Sequence, residues 1–436
     1  NGQRTPGGAG REPSPDPAKA LLDELLRAES NGAVAARFWD GTEWHDGATS
    51  PRCTIVLKQP SAVRAIVATR DDTGRGEAYL GDVLDLEGDI EAAIAFATRL
   101  RDHDWSSRER LRMAWRALRL PRPEADGPAP RARLRGRRHS RARDRAAVTH
   151  HYDVSNEFYA LWLDSRMVYT CAYFASAEQG LDAAQLNKLD YVCRKLRLRP
   201  GERVLDIGCG WGSLLIHAAR EYDVHAVGIT LSPAQASLAR ERIQQAGLTE
   251  RCRVEIRDYR ELDDPEAYDK VVSVGMFEHV GESRMAEYFG NAWRALKAGG
   301  VFLNHAIAGN PRTEGRSSEF ARRYVFPDHD LIPISTTMRG AEEAGFEVRD
   351  VESLREHYTR TLRHWVARLE ASHEAAARAA NEAAYRAWRL VLAGTGRGFD
   401  IGEMNVYQSL LVKPGPGGAS GLPLTREDWY GGSGGR

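Results

Sequence analysis

The sequence predicts a doubly wound α/β domain preceded by a smaller α+β domain. Two observations predict the large domain. From about residue 200, five apolar strand-like segments alternate with helical segments, and the first strand runs directly into a glycine-rich turn. The length of 436 residues is enough for two or three domains, and the apolar fraction of 42% allows a large core to be buried.

The N-terminal third is predicted to contain a disordered segment, a small domain and a linker. Residues 1–17 are rich in glycine, proline and charge, which favours disorder. Residues 18–119 alternate strand-like and helical patterns, and we interpret them as a small α+β domain for lipid binding or dimerisation. Residues 120–147 are interpreted as a proline- and arginine-rich linker, with eight arginines and one acid between Arg131 and Arg145.

Within the small domain, an amphipathic helix is expected first, over residues 18–30. The runs that resemble strands are short and apolar, and they lie at 53–59, 64–69 and 76–82. The two further helical patterns lie at 89–102 and 107–120.

The large domain is predicted to span residues 148–415, and residues 416–436 are expected to form a flexible tail. Its strands are expected at 203–208, 225–230, 253–258, 270–277 and 301–308. The helices between the strands are expected at 211–222, 232–247 and 283–299. A helix and strand at 336–354, a helical stretch at 359–394 and a last strand at 406–414 complete the domain. Sheets of this kind bind ligands at the carboxyl ends of their strands.

Charge and cysteine content indicate a protein of a reducing compartment. Lys and Arg number 61, as do Asp and Glu, so the chain as a whole has no attraction to nucleic acid or to a membrane. The five cysteines are scattered and form no CxxC pair, which argues against a disulfide framework, a zinc site or any other metal site. No apolar run approaches the ~18–20 residues of a spanning helix. We therefore expect a cytoplasmic location, peripheral at the inner face of the membrane.

The segment VLDIGCGWG, residues 204–212, has the pattern of a strand, a tight turn and a helix start. Gly208, Gly210 and Gly212 let the backbone approach a ligand without an intervening Cβ. Asp206 precedes the first glycine by two residues, where a carboxylate suits an ammonium group rather than a pyrophosphate. The loop resembles the S-adenosylmethionine loop of Rossmann-like class I methyltransferases, with helical insertions in this chain.

The remaining cofactor contacts are expected after the second and third strands. In most such methyltransferases an acid ends the second strand and binds the ribose hydroxyls, but this strand ends GIT. Thr230 and Gln235 are the donors available there. Asp258 and Tyr259 follow the third strand and are assigned to the border of the adenine, with a capped, solvent-facing loop as the alternative.

Further candidate residues lie on the acceptor side. Residues 151–174 hold seven aromatics in 24 positions, with Cys171 among them. At the ends of the fourth and fifth strands lie Glu278, His279, His305 and Ile307, and Tyr358 lies in the segment 355–365.

Together these stretches resemble the cyclopropane-fatty-acyl-phospholipid synthase family, whose members transfer methyl or methylene groups to fatty acids. The resemblance runs from about residue 150 to 413. The motifs that carry it, in the order of the family, are YDVSNEFY, YTCAYF, LDIGCGWG, GITLSPAQ, SVGMFEHVG and HYTRTLRHW. The N-terminal domain resembles that of the phospholipid-acting members, whereas the mycolic-acid branch lacks one. By the same resemblance, Tyr169 and Thr170 belong to the S-adenosylmethionine site.

The resemblance implies transfer of a one-carbon unit to the cis double bond of an unsaturated acyl chain in a membrane phospholipid. Attack by the alkene leaves a carbocation on the acyl chain, so the site must exclude water. The aromatic side chains of 151–174 and Trp365 are expected to face that cation. Loss of a proton from the transferred carbon then closes a cyclopropane.

The family resemblance also implies the base. Glu278, His305 and Tyr358, with backbone groups near Cys171 and Ile307, are expected to hold a bicarbonate ion that takes the proton. Cys171 itself is interpreted as a small packed residue, since the transfer needs no covalent thiolate. His279 is interpreted as structural and directed away from the site, with a place in the site as the alternative.

The product and the partners stay open at this point. The same carbocation can instead lead to a 10-methylene chain, and a separate reductase partner is then needed to make a methyl branch. A homodimer is expected, and nucleic acid is not. A nucleic-acid methyltransferase, a small-molecule methyltransferase and an inactive lipid-binding scaffold are the rival classes. The chain has no NPPY-type adenine motif and no paired cysteine motif for the first, and the second would not need the Glu, His and Tyr constellation. The intact cofactor loop and this constellation speak against the third.

The arginines between residues 131 and 145 suggest a contact with anionic lipid. A polybasic segment gains about 1 kcal/mol per arginine at such a surface. The alternative interpretation of these arginines is a solvated linker between two domains.

Overall fold

The computed structural model describes residues 16–29, 31–45, 50–68, 72–122, 136–152, 154–313 and 318–430, with only the backbone of residues 149–152. The chain divides into two compact units, Asn1–Pro128 and Ala129–Arg436. The described helices include none that is both long enough and apolar enough to cross a bilayer.

The small unit combines five helices with a four-stranded sheet among its described residues. The helices are α1 (Pro17–Ala28), α2 (Ser61–Ala68), α3 (Thr73–Leu80), α4 (Ile90–Asp102) and α5 (Ser107–Leu118). The strands are β1 (Val34–Arg37), β2 (Glu43–Trp44), β3 (Cys53–Leu57) and β4 (Leu84–Gly88), in the order β2-β1-β3-β4. Strands β1 and β3 are parallel, and the other pairs are antiparallel.

Two predicted strands of the small unit are wrong. Residues 64–69 fall largely within α2, and residues 76–82 fall largely within α3. Ala62 and Ala65 of α2 are buried at helical spacing, so packing of one helix face outweighs the β propensity of Ile66 and Val67. The predicted helix at 18–30 and the strand at 53–59 are confirmed as α1 and β3, and the last two helices are confirmed as α4 and α5. Disorder is predicted for residues 1–17, of which residues 1–15 lie outside the described residues. The prediction is wrong for the last two, because Pro17 begins α1 and Asp16 caps it.

The large unit contains a seven-stranded sheet. Its strands are β5 (Arg203–Ile207), β6 (His225–Thr230), β7 (Cys252–Ile256), β8 (Tyr268–Val274), β9 (Leu296–Gly309), β10 (Glu347–Ser353) and β11 (Met404–Val412). Its helices are α6 (Arg141–Tyr152), α7 (Asn156–Ala160), α8 (Leu181–Leu196), α9 (Ser213–Tyr222), α10 (Pro233–Gln245), α11 (Met285–Ala295), α12 (Glu319–Tyr324), α13 (Ile334–Glu343), α14 (Arg355–Ala371), α15 (His373–Ala379), α16 (Glu382–Asp400) and α17 (Glu427–Tyr430).

The strand order β10-β11-β9-β8-β5-β6-β7 confirms the doubly wound prediction. Strands β5 to β9 are parallel to one another, and β11 runs antiparallel to both β9 and β10. The order changes direction between β5 and β8, and ligands of such sheets bind where the order reverses. The carboxyl ends of β5, β6, β8 and β9 therefore meet at the edge where the site is expected.

Three predicted boundaries of the large unit are wrong. The helix predicted to reach residue 299 ends at Ala295, because Leu296 already pairs with Tyr268 as the first residue of β9. The predicted linker 120–147 contains the start of α6, at Arg141. The predicted flexible tail contains α17, in which Trp429 is 2% exposed and packs beside Leu196 and Leu198.

The linker arginines that the structure describes make specific contacts inside the large unit. Arg143 forms an ion pair with Asp328, with Nε 2.5 Å from Oδ2, and Arg138 donates to the carbonyl of His329 at 3.2 Å. Arg141 pairs with Glu261 at 3.4 Å. These contacts explain why residues 136–147 of the predicted linker are structured despite their arginine-rich composition.

Candidate functional site

A cavity of about 150 Å³ lies at the carboxyl ends of the parallel strands. Eight of the ten residues predicted to bind the cofactor line it, and they are Tyr169, Thr170, Asp206, Gly208, Gly210, Thr230, Gln235 and Tyr259. The other two, Gly212 and Asp258, do not line the cavity. The loop after β5, the turn after β6 and the segment before α8 therefore converge on one space.

The turn after β5 requires glycine at position 208, where its backbone lies close to Met276 just after β8. Gly208 has a φ of 88°, and a Cβ at this position would lie 2.8 Å from the Cβ of Met276. Gly212 has a φ of 78° and caps α9, and its Cβ would lie 3.2 Å from the Cβ of Ala239 in α10. Gly212 thus permits close helix packing behind the loop rather than contact with a ligand.

A buried lysine stands beside the predicted acid of this loop. Lys188 of α8 is 2% exposed, lines the cavity and donates from Nζ to Oγ1 of Thr170 at 2.7 Å. Burial raises the pKa of Asp206 to about 7, against the positive charge of Lys188, and burial lowers the pKa of Lys188 to about 8. Asp206 Oδ1 has no hydrogen-bond partner in the structure, so it is available to an ammonium group.

The two donors after β6 bind each other across the turn. Thr230 Oγ1 donates to Gln235 Oε1 at 2.9 Å, and both side chains are buried. The same hydroxyl accepts a hydrogen bond from the backbone N–H of Ser232 at 3.2 Å. Gln235 Oε1 is occupied by the hydrogen bond from Thr230. The Nε2 group of Gln235 remains as a donor at the cavity wall, 4.0 Å from a Cβ placed on Gly210.

Asp258 is held in an ion pair outside the cavity lining. Its carboxylate lies 2.6 Å from Arg260 Nη2, and Arg260 Nη1 lies 3.0 Å from Asp144 of α6. Burial opposes the charge of Asp258, but the hydrogen bonds from Arg260 hold its pKa below the usual value. Arg260 and Asp144 line the cavity themselves, so this pair connects α6 to the loop that borders the cavity.

His279, interpreted as structural and directed away from the predicted bicarbonate site, lines the cofactor cavity, which none of the predicted catalytic residues line. The turn Phe277–His279 after β8 buries Glu278 on one side and places His279 in the cavity lining. Burial lowers the pKa of His279 to about 4, so the imidazole is neutral. Its ring packs edge-on against that of His329, with 5.3 Å between the centroids.

The five predicted catalytic residues form a second group, and none of them lines the cofactor cavity. Glu278 Oε1 accepts the backbone N–H of Ile307 at 2.7 Å, which fixes the carboxylate against β9. Gln408 of β11 donates from Nε2 to His305 Nδ1 at 3.2 Å. With Nδ1 acting as acceptor, the neutral imidazole carries its proton on Nε2.

Hydrogen bonds of the neighbouring backbone connect Glu278 and His305 to Tyr358 and Cys171. Ile307 pairs with Val406 across the sheet, and Val406 accepts the N–H of Leu354 at 2.9 Å. The Leu354 carbonyl then accepts both the N–H of Tyr358 at 3.0 Å and the thiol of Cys171 at 3.7 Å. The catalytic residues predicted from four separate stretches thus belong to one continuous hydrogen-bonded layer.

The charge states of this group follow from its burial. Glu278 is 2% exposed, and burial raises its pKa to about 7, while His305 is held neutral because burial lowers its pKa well below the usual value. Burial likewise raises the pKa of Cys171 far above neutrality, which agrees with its interpretation as a packed thiol rather than a nucleophile. Glu278 Oε2 and His305 Nε2 are both buried without a hydrogen-bond partner.

An aromatic cluster joins the two groups. Tyr169, which lines the cofactor cavity, lies 5.3 Å from Trp365 between ring centroids, and Trp365 lies 6.0 Å from Tyr358. Trp162 and Trp388 pack on the same rings, at 5.4 Å and 6.0 Å from Tyr169. A continuous series of ring contacts therefore runs from the cofactor cavity to Tyr358.

Sequence reasoning missed several residues of the site. Lys188 was hidden among the apolar residues of α8, although its helical spacing from Ala184 and Val192 is a signal that it faces inward. Arg260 and Gln408 carry no such signal, because only the folded sheet and the loop after β7 give them their partners. Trp388 lies in an alanine- and arginine-rich stretch that indicated only a helix.

The chain matches the family described as mycolic acid cyclopropane synthetase over residues 139–409. Residues 21–108 match a domain of unknown function. A probable fatty acid methyltransferase of Pseudomonas putida is 42% identical over 90% of this chain and 95% of its own length. A probable fatty acid methyltransferase of Mycobacterium tuberculosis is 38% identical over 93% of this chain and 97% of its own length.

A third relative and a solved structure are similar to the large unit. The cyclopropane-fatty-acyl-phospholipid synthase of Escherichia coli is 36% identical over 63% of this chain and 69% of its own length. The crystal structure of the mycolic acid cyclopropane synthase CmaA1, complexed with SAH and CTAB, superposes with a TM-score of 0.58 at 35% identity, covering 61% of this chain and 97% of that chain.

Proposed function

The chain belongs to the mycolic acid cyclopropane synthetase family, and we propose that this S-adenosylmethionine-dependent methyltransferase acts on a membrane phospholipid. In this proposal it transfers a one-carbon unit to the cis double bond of an unsaturated acyl chain and forms a cyclopropane. The observation that supports it most is the pair of buried, unpartnered atoms, Glu278 Oε2 and His305 Nε2, among the predicted catalytic residues.

The cavity lining fits S-adenosylmethionine. The unpartnered Asp206 Oδ1 suits the ammonium group, and the turn at Gly208 leaves room for a ligand where a Cβ would meet Met276. Gln235 Nε2 and the hydroxyl of Thr230 stand where ribose hydroxyls are expected, and Tyr259 offers a ring to the base. When bound, the cofactor supplies an electrophilic methyl group.

The aromatic cluster serves the acceptor side. Trp162 and Trp365 are buried, so an acyl chain that reaches them loses contact with water. Aromatic faces stabilise a positive charge that develops on the acyl chain, and exclusion of water prevents the charge from being quenched. Tyr169 and Trp365 are the rings that link this region to the cofactor cavity.

Bicarbonate fits the group formed by Glu278, His305 and Tyr358. Its hydroxyl would donate to Glu278 Oε2, and its oxygens would accept from His305 Nε2–H and from the hydroxyl of Tyr358. Both of the first two atoms are buried without a partner, which is costly unless a polar group meets them. Held there, bicarbonate supplies the base for the proton that leaves when the ring closes.

A second candidate product is the 10-methylene chain, which a partner reductase would convert to a methyl branch. The two relatives that cover nine-tenths of this chain are both named probable fatty acid methyltransferases, and this naming favours the second product. Both products use the same cofactor and add the same single CH₂ to the acyl chain.

The test is incubation of the full chain with S-adenosylmethionine and liposomes of oleoyl phospholipid, followed by mass analysis and NMR of the released acyl chains. A gain of one CH₂ with upfield ring protons identifies the cyclopropane. The same gain with vinylidene protons identifies the methylene product. No gain with bicarbonate present and the double-bond position varied would reject the lipid substrate, and Glu278→Gln provides the matched inactive control.

A further inference from the structure

Helix α5 of the small unit exposes an apolar stripe. Leu111, Trp115 and Leu118 are 74%, 53% and 62% exposed, and their spacing of four and three residues places them on one face. Elsewhere in the described part of the chain, the exposed large apolar side chains are isolated on separate elements. An exposed apolar stripe on one helix marks an interaction surface.

The helix that bears the stripe is firmly held by its other face. Met113 and Ala117 are buried on that face, 5% and 0% exposed. A capping box between Ser106 and Glu109 fixes the start of the helix. At its end, Arg64 Nη1 donates to the carbonyls of Leu118 and Leu120, at 3.1 Å and 2.7 Å. The stripe is therefore presented by a folded element and not by a frayed end.

Arginines flank the stripe. At 100° per residue, Arg108, Arg112 and Arg119 lie along one side of it and Arg110 lies along the other. The Arg119 guanidinium sits 3.2 Å from the centre of the Trp115 ring. Glu109, the one acid of α5, lies on the opposite side of the helix in the capping box. Among the contacts described for α5, two arginines pair with an acid of another element. These are Arg112 and Arg116, and both pair with Glu24 of α1.

We propose that α5 docks the protein on a bilayer that contains anionic lipid, with Leu111, Trp115 and Leu118 at the interface and the arginines on the phosphates. A helix with a basic polar face and Trp and Leu on the other lies in the plane of such an interface. Trp prefers the head-group level, where its ring is half apolar and half wet. The inference rests on the proposed function, since a phospholipid substrate has to be reached at a membrane.

A second copy of the chain fits this surface less well. Two α5 helices packed face to face would bring the arginines on the two sides of each stripe against those of the other copy, and among the described residues only one of these flanking arginines, Arg112, has a paired acid, Glu24. Three side chains also cover far less than the roughly 800 Å² per partner of a standard protein interface. An anionic bilayer satisfies both the apolar stripe and the flanking charge.

The experiment is sedimentation of the full chain with phosphatidylcholine vesicles, with and without phosphatidylglycerol, at low and high salt. We compare the wild type with Trp115→Ser/Leu118→Ser, with Arg108→Gln/Arg119→Gln, and with Leu424→Ser, an exposed leucine of the large unit. The apolar pair should weaken binding to anionic vesicles by at least about tenfold. The arginine pair should weaken it by about fivefold per residue and reduce its dependence on salt.

The control Leu424→Ser should bind as the wild type does, and unchanged thermal unfolding should show that all variants are folded. Equal vesicle binding by wild type and both α5 variants would overturn the proposal. A concentration-dependent dimer that only the α5 variants lose would also overturn it in favour of a second copy. Activity on detergent-dispersed phospholipid separates the two proposals, because the α5 variants should keep it, whereas its absence in the wild type would reject the lipid substrate alone.

Discussion

The Nζ atom of Lys188 lies 2.7 Å from Oγ1 of Thr170, in the wall of the cavity that Asp206 also lines. A fully buried ammonium keeps its charge only when carboxylates face it. Asp164 and Asp206 support the charge of Lys188, and Lys188 in turn opposes the rise that burial causes in the pKa of Asp206. Lys188 thus sets the charge state of the predicted ammonium site.

Replacement of Lys188 by Met should weaken binding of S-adenosylhomocysteine by about tenfold near neutral pH. The pKa of Asp206 is about 7 with Lys188 present, and it rises further without the lysine. More of the carboxyl is then protonated at pH 7 and cannot bind an ammonium group. The loss should shrink as the pH is raised, because Asp206 ionises again, and calorimetric titration over a pH series measures this.

Thr170→Val is the matched control for this prediction. It removes the hydroxyl that accepts the hydrogen bond from Lys188 but leaves the lysine charge in place. Its affinity should change by a similar factor at every pH. If the loss in Lys188→Met were independent of pH, Lys188 would have a purely structural role.

Glu278→Gln should abolish transfer and at the same time stabilise the protein at alkaline pH. Burial raises the pKa of Glu278 to about 7 from 4.5, so the folded state binds a proton more tightly than the unfolded state. The stability of the protonated form is present below the unfolded pKa and is lost as the pH rises through about 7. Glutamine removes this loss, which amounts to about 3 kcal/mol once both states are ionised.

The measurement is chemical denaturation of Glu278→Gln and wild type across a pH series, with turnover assayed alongside. The difference in unfolding free energy should grow between about pH 4.5 and pH 7 and then level off. Glu282→Gln, at an exposed position of the same turn region, should show no such trend. A variant that is less stable than wild type at every pH would contradict the argument.

The sequence predicts the sheet of the large unit well because its signals are local. Alternation of strands and helices, and the glycines after β5, each depend on neighbouring residues, and the structure confirms all five parallel strands. The secondary structure of the small unit is harder to predict, since residues 65–68 are apolar and include the β-branched Ile66 and Val67, and only their packing decides for a helix.

The residues of the candidate site also differ in how well the sequence predicts them. Asp206 and Gly208 could be predicted from one motif, whereas Lys188 and Arg260 depend on side chains brought together from distant segments. His279 shows the limit of prediction from sequence, because only the folded structure reveals that it lines the cofactor cavity. The C-terminal tail is a second example, since its composition suggests flexibility, whereas Trp429 anchors the segment.

Removal of that anchor should destabilise the large unit. Trp429 is 2% exposed, its carbonyl accepts from Arg194 at 2.5 Å, and the charged ends of Lys195 and Arg197 lie 5.4 Å and 5.0 Å from its ring centre. Trp429→Ala should cost roughly 3–5 kcal/mol, as large truncations in a core do. Thermal unfolding measures this, and a chain shortened after Tyr430 should unfold as the wild type does. Equal stability of both variants would show that the tail is only loosely attached.

Under the proposal that bicarbonate serves as the base, Gln408 should control the dependence of the rate on bicarbonate through the tautomer of His305. Gln408 Nε2 donates to His305 Nδ1 at 3.2 Å, and this contact leaves the imidazole proton on Nε2, the atom without a partner. Gln408→Glu replaces the donor by an acceptor, so the proton moves to Nδ1 and the Nε2 donor is lost. Loss of a hydrogen bond to a charged ligand costs about 1.5–3 kcal/mol, or roughly tenfold to a hundredfold.

The expected result for Gln408→Glu is therefore a higher bicarbonate concentration at half-maximal rate, with the affinity for S-adenosylhomocysteine unchanged. Nitrogen NMR of histidine-labelled protein should show the proton of His305 on Nε2 in the wild type and on Nδ1 in the variant. Gln408→Met, which removes the contact without imposing a tautomer, should have an intermediate effect. If the bicarbonate dependence stays the same while the tautomer changes, His305 does not donate to the ion, and Glu278 with Tyr358 must hold it alone.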